Sequence, residues 1–202
     1  MAIQGQFTKA KAYCEKATYH YGLIGKTVAQ CFAQINLALI YNLSNEHREA
    51  LTVLKQLPEF VEEKQIQLTD RITGHINYHS AEAYLGMGDL NHAEESIMYA
   101  IAVEDDKLMP DCQRVMGEIK LLQGDLSAAE NWIRQSIQFL HSFESLNLYL
   151  CAYSERVLAR VLTKAGRWDE ANMVKSAAIE HFQEIDLPHE VEKTQLLLGS
   201  IP

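Results

Sequence analysis

Apolar residues recur along this chain at the three- and four-residue spacing of amphipathic helices. That spacing predicts ten helices, near 6–20, 26–43, 46–64, 68–87, 90–105, 110–123, 126–143, 146–165, 168–185 and 188–199. Only four prolines occur, as an almost wholly helical chain requires. Pro58 falls inside the third stretch and is expected to kink or divide it, whereas Pro110 and Pro188 stand where a first helical residue is expected.

The stretches repeat. A Gly or Asn is followed five residues later by Ala at Gly5 and Ala10, Asn45 and Ala50, Gly88 and Ala93, Gly124 and Ala129, and Gly166 and Ala171. Successive alanines lie 40, 43, 36 and 42 residues apart, a period that marks stacked helical repeats. Seven residues before each internal turn stands a small residue: Ala38, Ala81, Gly117 or Ala159. Four before it stand Tyr41, Tyr84, Lys120 and Leu162. Beyond the alanines come Leu54, Ile97 and Ile133 four residues on, and Leu57, Ala100, Ser136 and Ala178 seven on. Small residues in mid-helix let two backbones approach, and the large apolar neighbours fill the flanking grooves. The turn residue is expected to be left-handed, ending one helix, and Asp89, Asp125 and Asp169 are placed to cap the next or to favour its N-terminal dipole.

On these residues the chain resembles the tetratricopeptide repeat (TPR) family. The stretch Gly86-Met87-Gly88-Asp89-Leu90-Asn91-His92-Ala93 with Tyr84 upstream is the nearest to its pattern, followed by Gly124 to Ala129 and Gly166 to Ala171. There are departures: Gln34, Asn77, Gln113 and Glu155 stand where the family has tryptophan, no proline closes a unit, and every unit exceeds the usual length of about 34 residues. Long, irregular units of this kind are similar to the arrays of large bacterial regulators such as the maltose-regulon activator. The resemblance implies an all-α, right-handed superhelix of stacked antiparallel helix pairs. It is expected to be one domain over 1–202: a half repeat at 1–24, repeats at about 25–66, 67–108, 109–144 and 145–186, and a C-terminal capping helix at 187–202. The half repeat lacks its first helix, as expected if the chain is cut from a longer protein; a natural half-repeat cap is the alternative.

Composition narrows the function. The net charge of −9, without any Lys/Arg-rich run, disfavours direct nucleic-acid binding. The scattered cysteines Cys14, Cys31, Cys112 and Cys151 are expected to be free thiols of a reducing compartment, and no signal peptide is visible. The most apolar stretch, 31–43, is interrupted by Gln34 and Asn36 and is no membrane span. A cytoplasmic protein is expected. No P-loop, nucleophile elbow or dinucleotide fingerprint appears, so neither catalysis nor a cofactor is expected. His75 and His79 have metal-ligand spacing, but without a Glu in the HExxH arrangement or an obvious third ligand they are expected to have a structural or surface role rather than to bind metal.

The resemblance also implies a binding groove lined by the first helix of each pair. Carried over, it contains Phe32, Ile35, Asn36 and Leu39, then His75, Tyr78, His79 and Glu82, then Asp111, Arg114 and Glu118, and finally Tyr153, Arg156, Arg160 and Lys164. The expected binding residues are Asn36, His75, Tyr78, Glu82, Arg114, Glu118, Arg156, Arg160 and Lys164. The stripe Arg156, Arg160, Lys164 suits a partner's carboxylate or acidic segment; the alternative is a solvated face paired to Glu155 or Glu118. Reversing Arg156 and Arg160 is expected to leave helix content intact and weaken capture. Trp132 and Trp168 are expected to pack between units. The expected function is a scaffold that docks a protein or peptide. The rivals are a ligand- or peptide-sensing segment of a bacterial signalling or transcription regulator, and self-assembly into a homodimer through the exposed terminal repeat.

Overall fold

The computed structural model describes residues 6–64, 70–143 and 146–198. Among them the chain forms ten α-helices and no strand: α1 (Phe7–Leu23), α2 (Thr27–Leu43), α3 (His47–Glu63), α4 (Asp70–Gly86), α5 (Leu90–Ile101), α6 (Met109–Gln123), α7 (Leu126–His141), α8 (Leu148–Lys164), α9 (Trp168–Glu184) and α10 (Pro188–Leu198). Gly5, the turn residue expected for the half repeat, lies outside the described residues, as does the end of the expected capping helix beyond Leu198.

The expected turns are left-handed, with φ of 61° at Asn45, 78° at Gly88, 87° at Gly124 and 74° at Gly166. Each is closed by the same backbone bond, from the residue after the turn to the carbonyl five residues back: Glu46 to Tyr41, Asp89 to Tyr84, Asp125 to Lys120 and Arg167 to Leu162, at 2.8–3.0 Å. The carbonyl four residues before each turn thus holds the helix end, whichever side chain stands there. Asp89 and Asp125 accept from the amides of His92 and Ala128 as true caps, whereas Asp169 lies in the first turn of α9.

Two helices differ from expectation. Pro58 does not divide α3, which runs through it unbroken. Pro58 sits on the exposed face, and the single amide it lacks toward Leu54 does not end the helix. The fifth helix stops at Ile101 rather than near 105, because Glu104 takes up a left-handed conformation at φ 56°.

The repeat alanines Ala10, Ala50, Ala93, Ala129 and Ala171 are all buried, and so are Ala38, Ala81 and Ala159. At Gly117 the contact is tighter still: a Cβ there would meet Ile133 Cδ1 at 2.4 Å. The helices gather into two compact units, Met1–Asp105 and Asp106–Pro202. In the first, Ile35, Leu51, Leu54, Leu57, Val61 and Ile72 form one core; in the second, Leu121, Ile133, Val157, Leu158, Val161 and Leu162 form another. Within each unit first helices pack on one another, α2 on α4 and α6 on α8, with α10 also touching α8. The second helices do not: among the described residues the backbones of α3 and α5, and of α7 and α9, stay apart.

Candidate protein-interaction surfaces

Counting from the small mid-helix residue places the expected groove residues in one register. Three positions before it stand Ile35, Tyr78, Arg114 and Arg156. One position after it stand Leu39, Glu82, Glu118 and Arg160. The first set faces inward: Ile35, Tyr78 and Arg156 are buried, and the Arg114 side chain is 11% exposed. The second set is half-buried, as are Phe32, His75, Asp111 and Tyr153 six positions before the small residue. Positions at i, i+3 and i+4 spacing share one side of a helix, and the part of that side nearer its packed neighbours is covered while the rest stays open.

In the first unit, Tyr78 donates from its hydroxyl to Glu82 Oε1 at 2.9 Å, and His79 Nδ1 lies 3.0 Å from Glu82 Oε2. His75 stacks on His79 with ring centroids 6.3 Å apart and meets the Phe32 edge at 5.9 Å. Burial, then the charges of His79 and Arg71, hold His75 below the usual histidine range. The Arg71 guanidinium lies over Phe32. Asn36 is exposed and lines a depression of about 400 Å3 between α1 and α2, with Tyr13, Ala17 and Phe32. Among the described residues no group of three or more His, Cys, Asp or Glu is placed to hold a metal.

In the second unit, Arg114 bonds Glu118 at 2.7 Å and lies 3.8 Å from Asp111. Arg160 lies 3.7 Å from the other Glu118 oxygen and keeps a third of its side chain exposed, and Lys164 is exposed. Arg156 departs from the stripe. It is 6% exposed, donates to Glu190 Oε2 of α10 at 2.5 Å, and stacks over Tyr153 and Phe182 at 4.4 and 5.4 Å. Burial alone would raise the Glu190 carboxyl, but the Arg156 bond and charge outweigh it and hold it below the usual range. Reversing Arg156 would therefore break an interior pair, so intact helix content is not expected of that change.

Glu155 does not pair with the stripe. It faces α9, where its Oε2 lies 2.8 Å from His181 Nδ1, and burial raises its carboxyl despite that bond. Neither Glu190 nor His181 stood out in the sequence, because each partner lies 34 or 26 positions away. A weak signal existed at Glu155, a carboxylate in a position where the resembled pattern has a large aromatic. Trp132 is half-buried and Trp168 is 40% exposed. Cys14, Cys31, Cys112 and Cys151 are free thiols, and burial lifts Cys151 to about 11.

No protein-family model matches this chain, and no curated protein matches it. Solved structures do. Two are crystal structures of a Podosopora anserina protein assigned as a kinesin light chain with nearly identical TPR-like repeats, one of them carrying a substitution. The substituted form shares 16% identity with a TM-score of 0.57, covering 92% of this chain and 91% of that one. The other shares 17% with a TM-score of 0.56, covering 91% and 90%. The fold is therefore that of TPR-like helical repeats. No described helix is long and apolar enough to cross a membrane.

Proposed function

We propose that this chain is a non-catalytic scaffold that docks a protein or peptide segment against the open flanks of its first helices. The observation that carries this is the recurring half-exposed flank in a TPR-like fold. Phe32, Asn36, His75 and Glu82 offer mixed apolar and polar contacts in the first unit, and Glu118, Arg160 and Lys164 offer charge in the second. A preformed face loses little entropy on binding, so a few anchors supply most of the energy. Arg160 and Lys164, one helical turn apart, favour an acidic segment. Tyr78, Arg114 and Arg156 support the flank from beneath rather than meeting the partner.

The test is Arg160→Glu with Lys164→Glu, read by pull-down of the natural partner and by circular dichroism. Helix content is expected to stay unchanged while capture of an acidic partner falls; undiminished capture removes this pair from the site. A second reading is favoured by the exposed apolar side chains Tyr13, Tyr19, Leu23, Ile24 and Val28 on and beside α1. They suit contact with a second copy, and a strictly monomeric mass by light scattering at high concentration excludes it.

A further inference from the structure

The second helices of the second unit stand apart, and that separation makes a furrow. The backbones of α7 and α9 do not approach, yet both pack on α8. The space between them holds a depression of about 310 Å3. Leu158 of α8 lines it together with Ile137 of α7 and Val174 and Ala177 of α9, so most of its wall is apolar.

Two charged groups also line it. Arg134 is ion-paired on two sides: it bonds Glu130 at 2.8 Å and reaches Glu170 of α9, while Arg167 in turn bonds Glu130 at 2.7 Å. Two arginines and two carboxylates balance there. Glu155, one turn before Leu158, is different. It is 8% exposed, and His181 occupies one side of its carboxylate at 2.8 Å. A carboxylate has about four acceptor positions, so acceptor capacity remains toward the furrow. Burial raises this carboxyl, the bond and charge of His181 and the charge of His141 favour its ionised form, and Glu180 opposes it.

Besides Arg134 and Glu155, Gln138 lines the furrow, and a buried carboxylate beside aliphatic walls suits a cation on a short hydrocarbon stem. We infer that this furrow binds an alkylammonium group, its nitrogen against Glu155 and its methylenes along Ile137, Leu158, Val174 and Ala177. The site lies among the second helices and takes a positive group, so it is independent of the first-helix flank and its acidic partner. The chain's net charge of −9 also draws cations toward it. Two sources carry the chemistry: a free small amine, or a lysine side chain of a bound peptide.

The experiment is a proton–nitrogen NMR titration of the whole chain near neutral pH. The probes are n-pentylamine, uncharged n-pentanol, and an acetylated and amidated Gly-Lys-Gly peptide. Saturable shifts at Leu158, Val174, Ala177 and His181 are expected with the amine, with affinity for pentanol about tenfold weaker, as loss of a charged hydrogen bond implies. Glu155→Gln is expected to abolish the preference for amine over alcohol. Ala177→Leu fills the furrow without touching the carboxylate, and is expected to abolish binding while the thermal melt stays unchanged. Tighter binding of the peptide than of the amine identifies a lysine ligand, and the reverse a free amine. Equal response to amine and alcohol, or no saturable shift with either cation, overturns the inference and leaves Glu155–His181 as a structural pair.

Discussion

Helices α4 and α8 carry different chemistry at the same register. Three positions before the small residue α4 has Tyr78 and α8 has Arg156, both 6% exposed. One position after it they have Glu82 and Arg160. In α4 the inward hydroxyl finds its acceptor one turn up the same helix, on Glu82. In α8 that neighbour is a second cation, so the inward guanidinium must find its acid elsewhere, on Glu190 of α10. The lesson concerns where a buried polar group is satisfied. The α4 bond is closed within one helix, whereas the α8 pair exists only while α10 lies against α8.

The largest expected effect tests that dependence. Arg156→Ala strands a buried carboxylate and is expected to cost about 3–5 kcal/mol in denaturant melts, with most of the loss recovered when Arg156→Leu is combined with Glu190→Leu. A cost near zero would mean that the pair is hydrated in solution and that the two helices do not differ as described. Next in size, Ala93→Leu and Ala171→Leu are each expected to lose roughly 1–3 kcal/mol by overpacking, because both alanines are fully buried at equivalent repeat positions. A melt unchanged by either would show that its helix pair is looser than its counterpart. The smallest is Tyr78→Phe, expected to cost about 1 kcal/mol, since it removes one neutral donor and leaves Glu82 its bond from His79.

Much of the fold was legible because its signals are local. A Gly or Asn that must adopt positive φ declares itself in any context, and so does an aspartate before a helix. Gly117 was legible as small, though not that Ile133 presses on it. The binding face was legible only in part. Spacing placed Tyr78, Arg114 and Arg156 on the same helix flank as their neighbours, but exposure depends on which helix packs beside that flank. Arg156, Arg160 and Lys164 looked like one basic stripe because i, i+4 spacing aligns them; α10 covers the first of them. Pro58 was expected to kink or divide α3; the helix is not divided, because one missing hydrogen bond on an exposed face leaves the rest of its ladder in place.

Ten helices, their left-handed stops and the alanine-sized contacts between them follow from preferences that each short stretch carries by itself. The burial of Arg156, the turning of Glu155 toward His181, and the furrow between α7 and α9 do not. Each depends on the free energy of removing a charge from water against a partner some thirty positions away, and that partner is in place only once the helices have stacked.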